Sequence, residues 1–342
     1  MNAQGKISLA PYSDLLSEKS LHDLKGKKNL LAFSAGVDSS ALFFLLLEAE
    51  IPFDMAIVDY GMRMQSKEEV AYARELADYH DKQLYHDSVS LSESNFEHEA
   101  RTHRYTFFEN IIQEHHYDNL ITAHQLNDRL EWFLMQLSKG AGVVEMLGFD
   151  EIVQRKSYRL IRPLIQTDKA SLLSYLNYHD KRYFIDESNS DHTYKRNHIR
   201  ANYSDNFLKE YKEGIKNSFN YLQKDKEALF SHTILYHDKE LRVLKKGAND
   251  IRSIDKVLKE MGYLLSASQK VEIIRQGESV IADKIVVALT DRLIFIAPFI
   301  KETMSKKFKE RCRVLGIPAK IRPYLQAKEI DPTYLPQTEI TS

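Results

Sequence analysis

The chain has 342 residues and a mass of 39.8 kDa, with 43% hydrophobic and 28% charged residues, so we expect an ordinary globular protein of two or three domains. Its 48 basic residues nearly balance 49 acidic ones, and the net charge of −1 gives no overall sign of a nucleic-acid partner. The longest apolar run is Ala41–Leu47, no signal peptide precedes it, and the single Cys312 excludes a disulfide framework, which together predict a cytoplasmic protein with no membrane partner.

Strand-like and helix-like segments alternate through the N-terminal half. The apolar stretches of strand length are Leu30–Phe33, Phe53–Val58, Gln83–Val89, Asn119–Ala123 and Arg159–Ile165. The helical patterns are Ser39–Glu50, Ser66–Asp81, Asn95–Glu114, Leu126–Leu137 and Lys169–Tyr178. This alternation predicts an α/β fold with a doubly wound parallel sheet.

The pattern changes after about residue 200. A polar, helically periodic segment over 200–230 predicts a connecting helix. Beyond it the predicted elements are two short helices, two strands and a last helix: Ser253–Met261, Ser266–Arg275, the two strands within Val280–Ala297, and Met304–Leu315. We therefore predict a catalytic domain over 1–200, a helical connector over 201–232 and a small α+β domain over 233–342.

Positive charge is concentrated near the C-terminus. Between residues 301 and 328 there are nine lysines and arginines but only Glu302 and Glu310, a local excess of +7. Such a patch is suited to phosphate contacts. A solvated helix face is the alternative, and charge alone does not separate the two.

The strongest local signal lies between the first predicted strand and the first helix. The segment there reads Ser34-Ala35-Gly36-Val37-Asp38-Ser39. A turn at this junction presents backbone N–H groups, hydroxyls and the positive end of the helix dipole, which together bind anions. Asp38 adds a carboxylate suited to a magnesium ion that bridges phosphate oxygens. In the alternative interpretation, Asp38 or Ser39 only caps the helix.

This segment resembles the S-G-G-x-D-S loop of the PP-loop ATP pyrophosphatases, which cleave ATP between the α- and β-phosphates and adenylylate a substrate. The resemblance implies that residues 34–39 bind ATP and that Asp38 binds Mg²⁺. Ala35 stands where the family usually has a second glycine. If that position requires a positive φ, the alanine costs about 1 kcal/mol.

Five further segments resemble the tRNA(Ile)-lysidine synthases, a branch of the PP-loop enzymes. In chain order they are 58–63 (VDYGMR), 100–105 (ARTHRY), 123–131 (AHQLNDRLE), 162–164 (RPL), and 186–189 (DESN) with 194–200 (YKRNHIR). Two positions depart from the family pattern. Gln125 replaces a histidine, and Asn127 replaces the first of two aspartates, which removes a charge from one metal or substrate contact.

The third of these segments makes chemical sense by itself. His124, Asp128 and Glu131 follow a predicted strand, where open α/β sheets bind their ligands. Asp128 and Glu131 share a helix face and are suited to a metal or an ammonium group, although such pairs are often only solvated. Arg101 and Arg104 also lie three residues apart and are suited to phosphate.

The resemblance implies that the chain joins lysine to C2 of cytidine C34 in a tRNA(Ile) with a CAU anticodon. The cytidine is adenylylated first, and AMP and pyrophosphate are released. We assign Asp38, Asp128, Glu131, His124 and Arg101 to catalysis. The residues assigned to tRNA binding are Arg104, Tyr194, Lys195, Arg196, Arg200, Lys306, Lys307 and Lys309.

Members of that family often form homodimers, so a second copy of the chain is a candidate partner. Two other functions remain open at this point. One is a PP-loop enzyme with another acceptor, such as a tRNA thiolation enzyme, although those usually rely on paired cysteines. The other is a nucleotide- or RNA-binding protein whose catalytic site has decayed, which Ala35, Gln125 and Asn127 suggest.

Overall fold

The structure is a computed structural model, and it describes residues 13–61, 64–89, 96–185, 198–230, 234–247 and 249–336. The chain divides into two compact units, Met1–Leu222 and Gln223–Ser342. No helix within the described ranges is both long enough and apolar enough to cross a bilayer.

The first unit contains the predicted α/β sheet. Its strands are β1 (Asn29–Ala32), β2 (Asp54–Asp59), β3 (Leu84–Ser88), β4 (Asn119–Ile121), β5 (Ile152–Gln154) and β6 (Arg159–Ile161). Their order across the sheet is β3-β2-β1-β4-β6-β5, with every pair parallel except β5 with β6. The doubly wound parallel sheet is confirmed, and the antiparallel edge strand β5 is an element that the sequence pattern did not reveal.

Helices cover both faces of this sheet. They are α1 (Glu18–Leu24), α2 (Val37–Glu48), α3 (Met64–Tyr79), α4 (Phe96–His115), α5 (Leu126–Leu137), α6 (Val143–Met146) and α7 (Lys169–Tyr178). Neighbouring strand residues point to opposite faces, as a pleated strand requires. Leu31 packs in the core beneath α2 and α7, whereas Leu30 packs in the core beneath α4.

A long helix follows the sheet. A π-helical turn over Arg200–Ser204 leads into α8 (Asp205–Phe230), which is kinked at Tyr211 (φ −123°, ψ 26°). Leu208, Ile215 and Phe219 on its first half pack against Leu126 and Leu130 of α5. The predicted connecting helix is therefore present, and its first half belongs to the core of the first unit.

The second unit is built around an antiparallel sheet. Its strands are β7 (Ile234–Asp238), β8 (Leu241–Lys245), β9 (Glu278–Ile281), β10 (Ile285–Leu289) and β11 (Leu293–Pro298), in the order β7-β8-β11-β10-β9. The helices are α9 (Asp250–Glu260), α10 (Ala267–Gln276), α11 (Lys306–Val314) and α12 (Arg322–Ala327). One face of the sheet packs on α9 and α10, and the other packs on α11 and α12.

The prediction of two strands within Val280–Ala297 was wrong, because the first of them is a hairpin. Ala282 and Asp283 both take positive φ, at 49° and 53°, and the N–H of Lys284 donates to the carbonyl of Ile281 at 3.0 Å. Two consecutive left-handed residues form the tight turn that suits antiparallel strands. Glycine or asparagine usually marks such a turn, and neither is present here. The hairpin of β7 and β8 was also not predicted.

Candidate active site

The order of the sheet brings two sequence-distant segments together. The chain reaches outward from β1 to β2 and β3 on one side, and then returns to β4 and β6 on the other. Such a reversal opens a crevice at the carboxyl ends of the two central strands. The turn over 33–36 follows β1 and the segment over 122–131 follows β4, so both line this crevice.

The turn between β1 and α2 is held by its own hydroxyls. Ser39 Oγ accepts a hydrogen bond from the N–H of Ser34 and donates one to the carbonyl of Gly36, both at 3.2 Å. Gly36 is the N-cap residue of α2, and no side chain caps the helix there. The alternative in which Asp38 or Ser39 caps the helix is therefore wrong.

Ala35 does take the left-handed conformation, with φ at 55°. Its carbonyl accepts hydrogen bonds from the N–H of Phe184 at 2.9 Å and from Ser40 Oγ at 3.2 Å, which fix the turn. The methyl group is fully buried in the core. Burial of one methyl group contributes about 0.8 kcal/mol, which offsets most of a conformational cost of about 1 kcal/mol. This balance explains why an alanine is tolerated.

Gly36 leaves open space at the mouth of the turn. Its φ of −71° is accessible to any residue, and an added Cβ would meet only Ser34 Oγ, at an ordinary distance of 3.5 Å. Neither conformation nor packing within the protein therefore demands glycine. A missing side chain at the start of a helix lets an anion approach the N–H groups closely.

Asp38 carries a partly buried carboxylate in the first turn of α2. Burial, reinforced by the negative charge of Asp128, raises its pKa from 3.8 to about 6, although Lys169, Arg200 and a hydrogen bond from Gln125 oppose the change. Its Oδ1 is buried without a hydrogen-bond partner among the described residues.

An oxygen in this condition fits a metal ligand. The described residues contain no group of three His, Cys, Asp or Glu side chains able to hold a metal ion. Mg²⁺ needs no such group, because it usually takes one or two carboxylates and completes its shell with water and substrate phosphates. The donors around Asp38 thus fit an ion that binds together with a nucleotide.

Asp128 and Glu131 form the predicted carboxylate pair, and both are buried. Arg200 lies between them. Its Nε donates to Glu131 Oε2 at 2.9 Å, and its Nη2 lies 3.5 Å from Asp128 Oδ1. Sequence reasoning assigned Arg200 to tRNA, whereas its contacts here join it to the carboxylate pair.

The two departures from the family pattern both hold protein atoms in place. The side chain of Gln125 accepts a hydrogen bond from the N–H of Asn127, while Asp128 Oδ2 accepts one from the N–H of Gln125 at 3.1 Å, which completes a capping box for α5. Asn127 donates through Nδ2 to Asp205 Oδ1 at 2.7 Å and accepts from the N–H of Lys169 at 3.1 Å. Both ends of its amide are therefore engaged within the protein.

The predicted arginines, Arg101 and Arg104, both lie on α4. The guanidinium of Arg101 lies 4.9 Å from the centre of the Tyr105 ring. Burial raises the pKa of the Tyr60 phenol, and the positive charge of Arg104 nearby opposes that rise. Arg101 in turn lowers the pKa of the buried Arg162, although burial contributes most to that change. Tyr60 follows β2 and Arg162 follows β6, so the ends of both strands lie close to these arginines of α4.

His124 is held at the carboxyl end of β4. Its Nδ1 lies 2.9 Å from Thr122 Oγ1, and its ring meets the edge of Phe149 at 5.3 Å between ring centres. The sequence analysis did not identify Phe149, Trp132 or Lys169 as site residues. Lys169 could have been found, because a lysine in the first turn of α7 is unfavourable to the helix dipole and so points to another role.

The remaining predicted tRNA contacts lie apart from this crevice in the sequence. Lys306, Lys307 and Lys309 are exposed on the first turn of α11. Two neighbours in the basic patch are already paired, Arg311 with Asp331 and Arg313 with Glu310. Tyr194, Lys195 and Arg196, and the segment over 186–189, lie outside the described residues.

Comparison with known proteins gives consistent matches. The model of a PP-loop domain family matches residues 12–206. The tRNA(Ile)-lysidine synthase of Wolinella succinogenes is 43% identical over 316 residues, which cover 90% of this chain and 95% of that protein. The enzyme of the same name from Helicobacter pylori is 44% identical over 311 residues, covering 90% and 92%. Among solved structures, a U34-tRNA thiolase from Methanococcus maripaludis is 18% identical with a TM-score of 0.49, covering 61% of this chain and 75% of that one.

Replacement of Asp38 by asparagine tests this partly buried carboxylate. The pKa of Asp38 is raised from 3.8 to about 6 in the folded protein, so the folded state holds the proton more tightly than the unfolded state. The stability that this proton contributes is complete below pH 4 and is lost as the pH rises through 6. We expect Asp38→Asn to raise the free energy of unfolding by up to about 3 kcal/mol at pH 8 and to change it little at pH 4. Urea unfolding between pH 4 and pH 8 measures this.

The exposed Asp78→Asn serves as the control for that series, with an expected change below about 0.5 kcal/mol. Parallel stability curves for wild type and Asp38→Asn across the pH range would contradict the prediction.

Introducing the family's aspartate at position 127 is expected to destabilise the folded protein. In Asn127→Asp, a carboxylate would face Asp205 Oδ1 where an amide now donates at 2.7 Å. We expect a loss of about 1–2 kcal/mol in the free energy of unfolding. The double variant Asn127→Asp/Asp205→Asn reverses the hydrogen bond and should recover most of that loss. A double variant as unstable as the sum of the two single ones would refute the pairing.

Proposed function

The chain belongs to the tRNA(Ile)-lysidine synthase family of PP-loop enzymes and forms lysidine in tRNA(Ile) in an ATP-dependent reaction, and we propose how its site performs that reaction. The substrates that we propose are free lysine and cytidine C34 of a CAU anticodon. The observation that carries the proposal is the cluster formed by Asp128, Arg200 and Glu131. The charges of Asp128 and Arg200 act on the carboxylate of Asp38, which belongs to the proposed phosphate-binding turn.

ATP is proposed to bind at the turn over 34–39. The N–H groups at the start of α2, the hydroxyl of Ser34 and the open space at Gly36 suit the triphosphate. Lys169 adds a positive charge near Asp38. Asp38 would hold Mg²⁺ through its unpartnered Oδ1. Bound there, the ion would offset the negative charge that grows on the phosphates.

In the first proposed step, O2 of the cytosine attacks the α-phosphate and pyrophosphate leaves. His124 and Arg101 are assigned to the cytidine and to its phosphate. Donors fixed before the reaction stabilise developing charge most effectively, because they need no reorganisation. The hydrogen bond between Thr122 Oγ1 and His124 Nδ1, together with the ring of Phe149, fixes His124 in this way.

In the second proposed step, the ε-amine of lysine attacks C2 and AMP leaves. Asp128 and Glu131 are carboxylates of the kind that bind an ammonium group, and Arg200 lies between them. An amine that is mostly protonated at neutral pH must lose a proton before it attacks. A carboxylate of this pair is proposed to accept that proton.

Several further contacts complete the proposal. Arg104 and the lysines of α11 are proposed to meet tRNA phosphates, together with Tyr194, Lys195 and Arg196. Cytoplasmic localisation and a homodimer remain predictions. Size-exclusion chromatography with light scattering measures the homodimer directly.

The reaction itself is tested by incorporation of radiolabelled lysine into an unmodified tRNA(Ile) transcript with a CAU anticodon. A methionine tRNA with the same anticodon is the control. We expect label only in the first RNA, accompanied by one AMP and one pyrophosphate per lysine. Binding of ATP and RNA without release of pyrophosphate would instead identify a protein that has lost catalysis.

Asp128→Asn should separate lysine transfer from binding. Asparagine keeps the volume and can still accept the hydrogen bond from Gln125, so we expect affinity for tRNA within about twofold of wild type. Loss of the charge should lower the rate of lysine transfer about 10²–10⁴-fold. The control Glu114→Gln removes an exposed carboxylate near the end of α4 and should leave both quantities unchanged. Equal losses of transfer and tRNA affinity in Asp128→Asn would contradict this assignment.

The basic helix is tested by salt dependence. Each phosphate contact contributes about 0.7–0.9 to the slope of log affinity against log salt concentration. Replacement of Lys306, Lys307 and Lys309 by alanine should therefore reduce the slope for tRNA by about 2. The matched control replaces three exposed lysines around α1, which are Lys19, Lys25 and Lys27. An unchanged slope in the first triple variant would remove α11 from the tRNA interface.

A further inference from the structure

A cluster of aromatic rings lies at the carboxyl end of β4, and the reaction as described so far uses only its His124 directly. Phe149 is its centre. The edge of the Phe149 ring meets His124 at 5.3 Å and Trp132 at 5.5 Å between ring centres, with interplanar angles of 62° and 71°. All three side chains are only partly buried. Rings that serve only a core are normally covered, so this cluster presents aromatic surface at the edge of the crevice.

The Phe149 ring is supported from within the protein. The guanidinium of Arg162 lies 5.4 Å from the centre of the ring. Arg162 is only 6% exposed, and its Nη1 donates to the carbonyl of Asp150, the residue after Phe149. A buried cation so close to an aromatic face fixes the position of the ring.

Trp132 is positioned just as closely. Its indole N–H donates to the carbonyl of Glu145 at 2.9 Å. A Cβ at Gly148 would lie 2.6 Å from the indole nitrogen, so only glycine fits against this ring. The loop that carries Phe149 and the helix that carries Trp132 are therefore fitted to each other.

The cluster adjoins the carboxylate pair. Trp132 follows Asp128 by four residues on α5 and so lies on the same side of that helix. His124, at the other end of the cluster, precedes Asp128 in the segment that follows β4. A planar group stacked on these rings would thus be next to the carboxylates proposed to receive the lysine amine.

We propose that Phe149, flanked by Trp132 and His124, is the surface on which the target cytosine stacks after it leaves the anticodon stack. This inference rests on the proposed function and extends it to the residues that hold the base. Enzymes that modify a base must unstack it, and they hold it against aromatic side chains. Arg162 acts through Phe149 as a positioning residue.

The test is the affinity for two anticodon stem-loop RNAs, one with cytosine at the target position and one abasic there. We expect wild type to bind the cytosine RNA about 5- to 150-fold more tightly, which is the range for stacking of one base on an aromatic ring. In Phe149→Ala this preference should fall below about twofold, while affinity for the abasic RNA and for ATP stays unchanged.

Two further variants separate the ring from its volume. Phe149→Leu keeps an apolar side chain but should lose the preference, whereas Phe149→Tyr keeps the ring and should retain it. The control Tyr178→Ala removes a 68%-exposed ring from α7 and should behave as wild type. Thermal unfolding of each variant confirms that it is folded.

The outcomes distinguish this inference from the proposed function. A wild-type preference that survives in Phe149→Ala would overturn the stacking role while leaving lysidine formation intact. A wild type that binds both RNAs equally would show that the base is not held by stacking at all, and would overturn the inference. Failure of the proposed function would appear separately, as absence of lysine incorporation into the full tRNA.

Discussion

The site depends on one arginine that is bonded to two buried carboxylates. Asp128 and Glu131 occupy the same side of α5, and Asp38 adds a third carboxylate nearby. A cluster of this kind is costly to bury unless a cation is bonded within it, and removal of one partner from a buried pair commonly costs about 3–5 kcal/mol. Arg200 supplies that cation from the π-helical turn before α8. The long helix is thereby attached to the catalytic crevice.

The sequence predicted the elements that decide where the site is. Each parallel strand and each helix that carries a proposed catalytic residue was expected from apolar periodicity, because β1 and β4 are short, buried runs followed directly by polar turns. The position of the crevice follows from strand order. Local pattern cannot reveal that order, and the sequence analysis predicted a doubly wound parallel sheet without it.

Other features could not be predicted, because they depend on contacts between distant residues. The sequence identified Gln125 and Asn127 as departures from a family pattern, but not that one caps α5 and the other joins Asp205 to Lys169. Phe149 and Trp132 belong to no recognised motif. Only the folded structure shows that Trp132 packs against Gly148 and that Phe149 packs against Arg162. Side-chain partnership of this kind is a property of the folded chain.

The bond between Asn127 and Asp205 also limits the evolutionary routes open to this protein. A lone change to aspartate at position 127 places two carboxylates in contact, whereas asparagine at position 205 keeps an oxygen that can accept the same hydrogen bond. The two positions are therefore epistatic in one direction: aspartate at position 127 is favourable only after position 205 has lost its charge. The route to the family's double aspartate is thus ordered, with the change at position 205 coming first and the change at position 127 second.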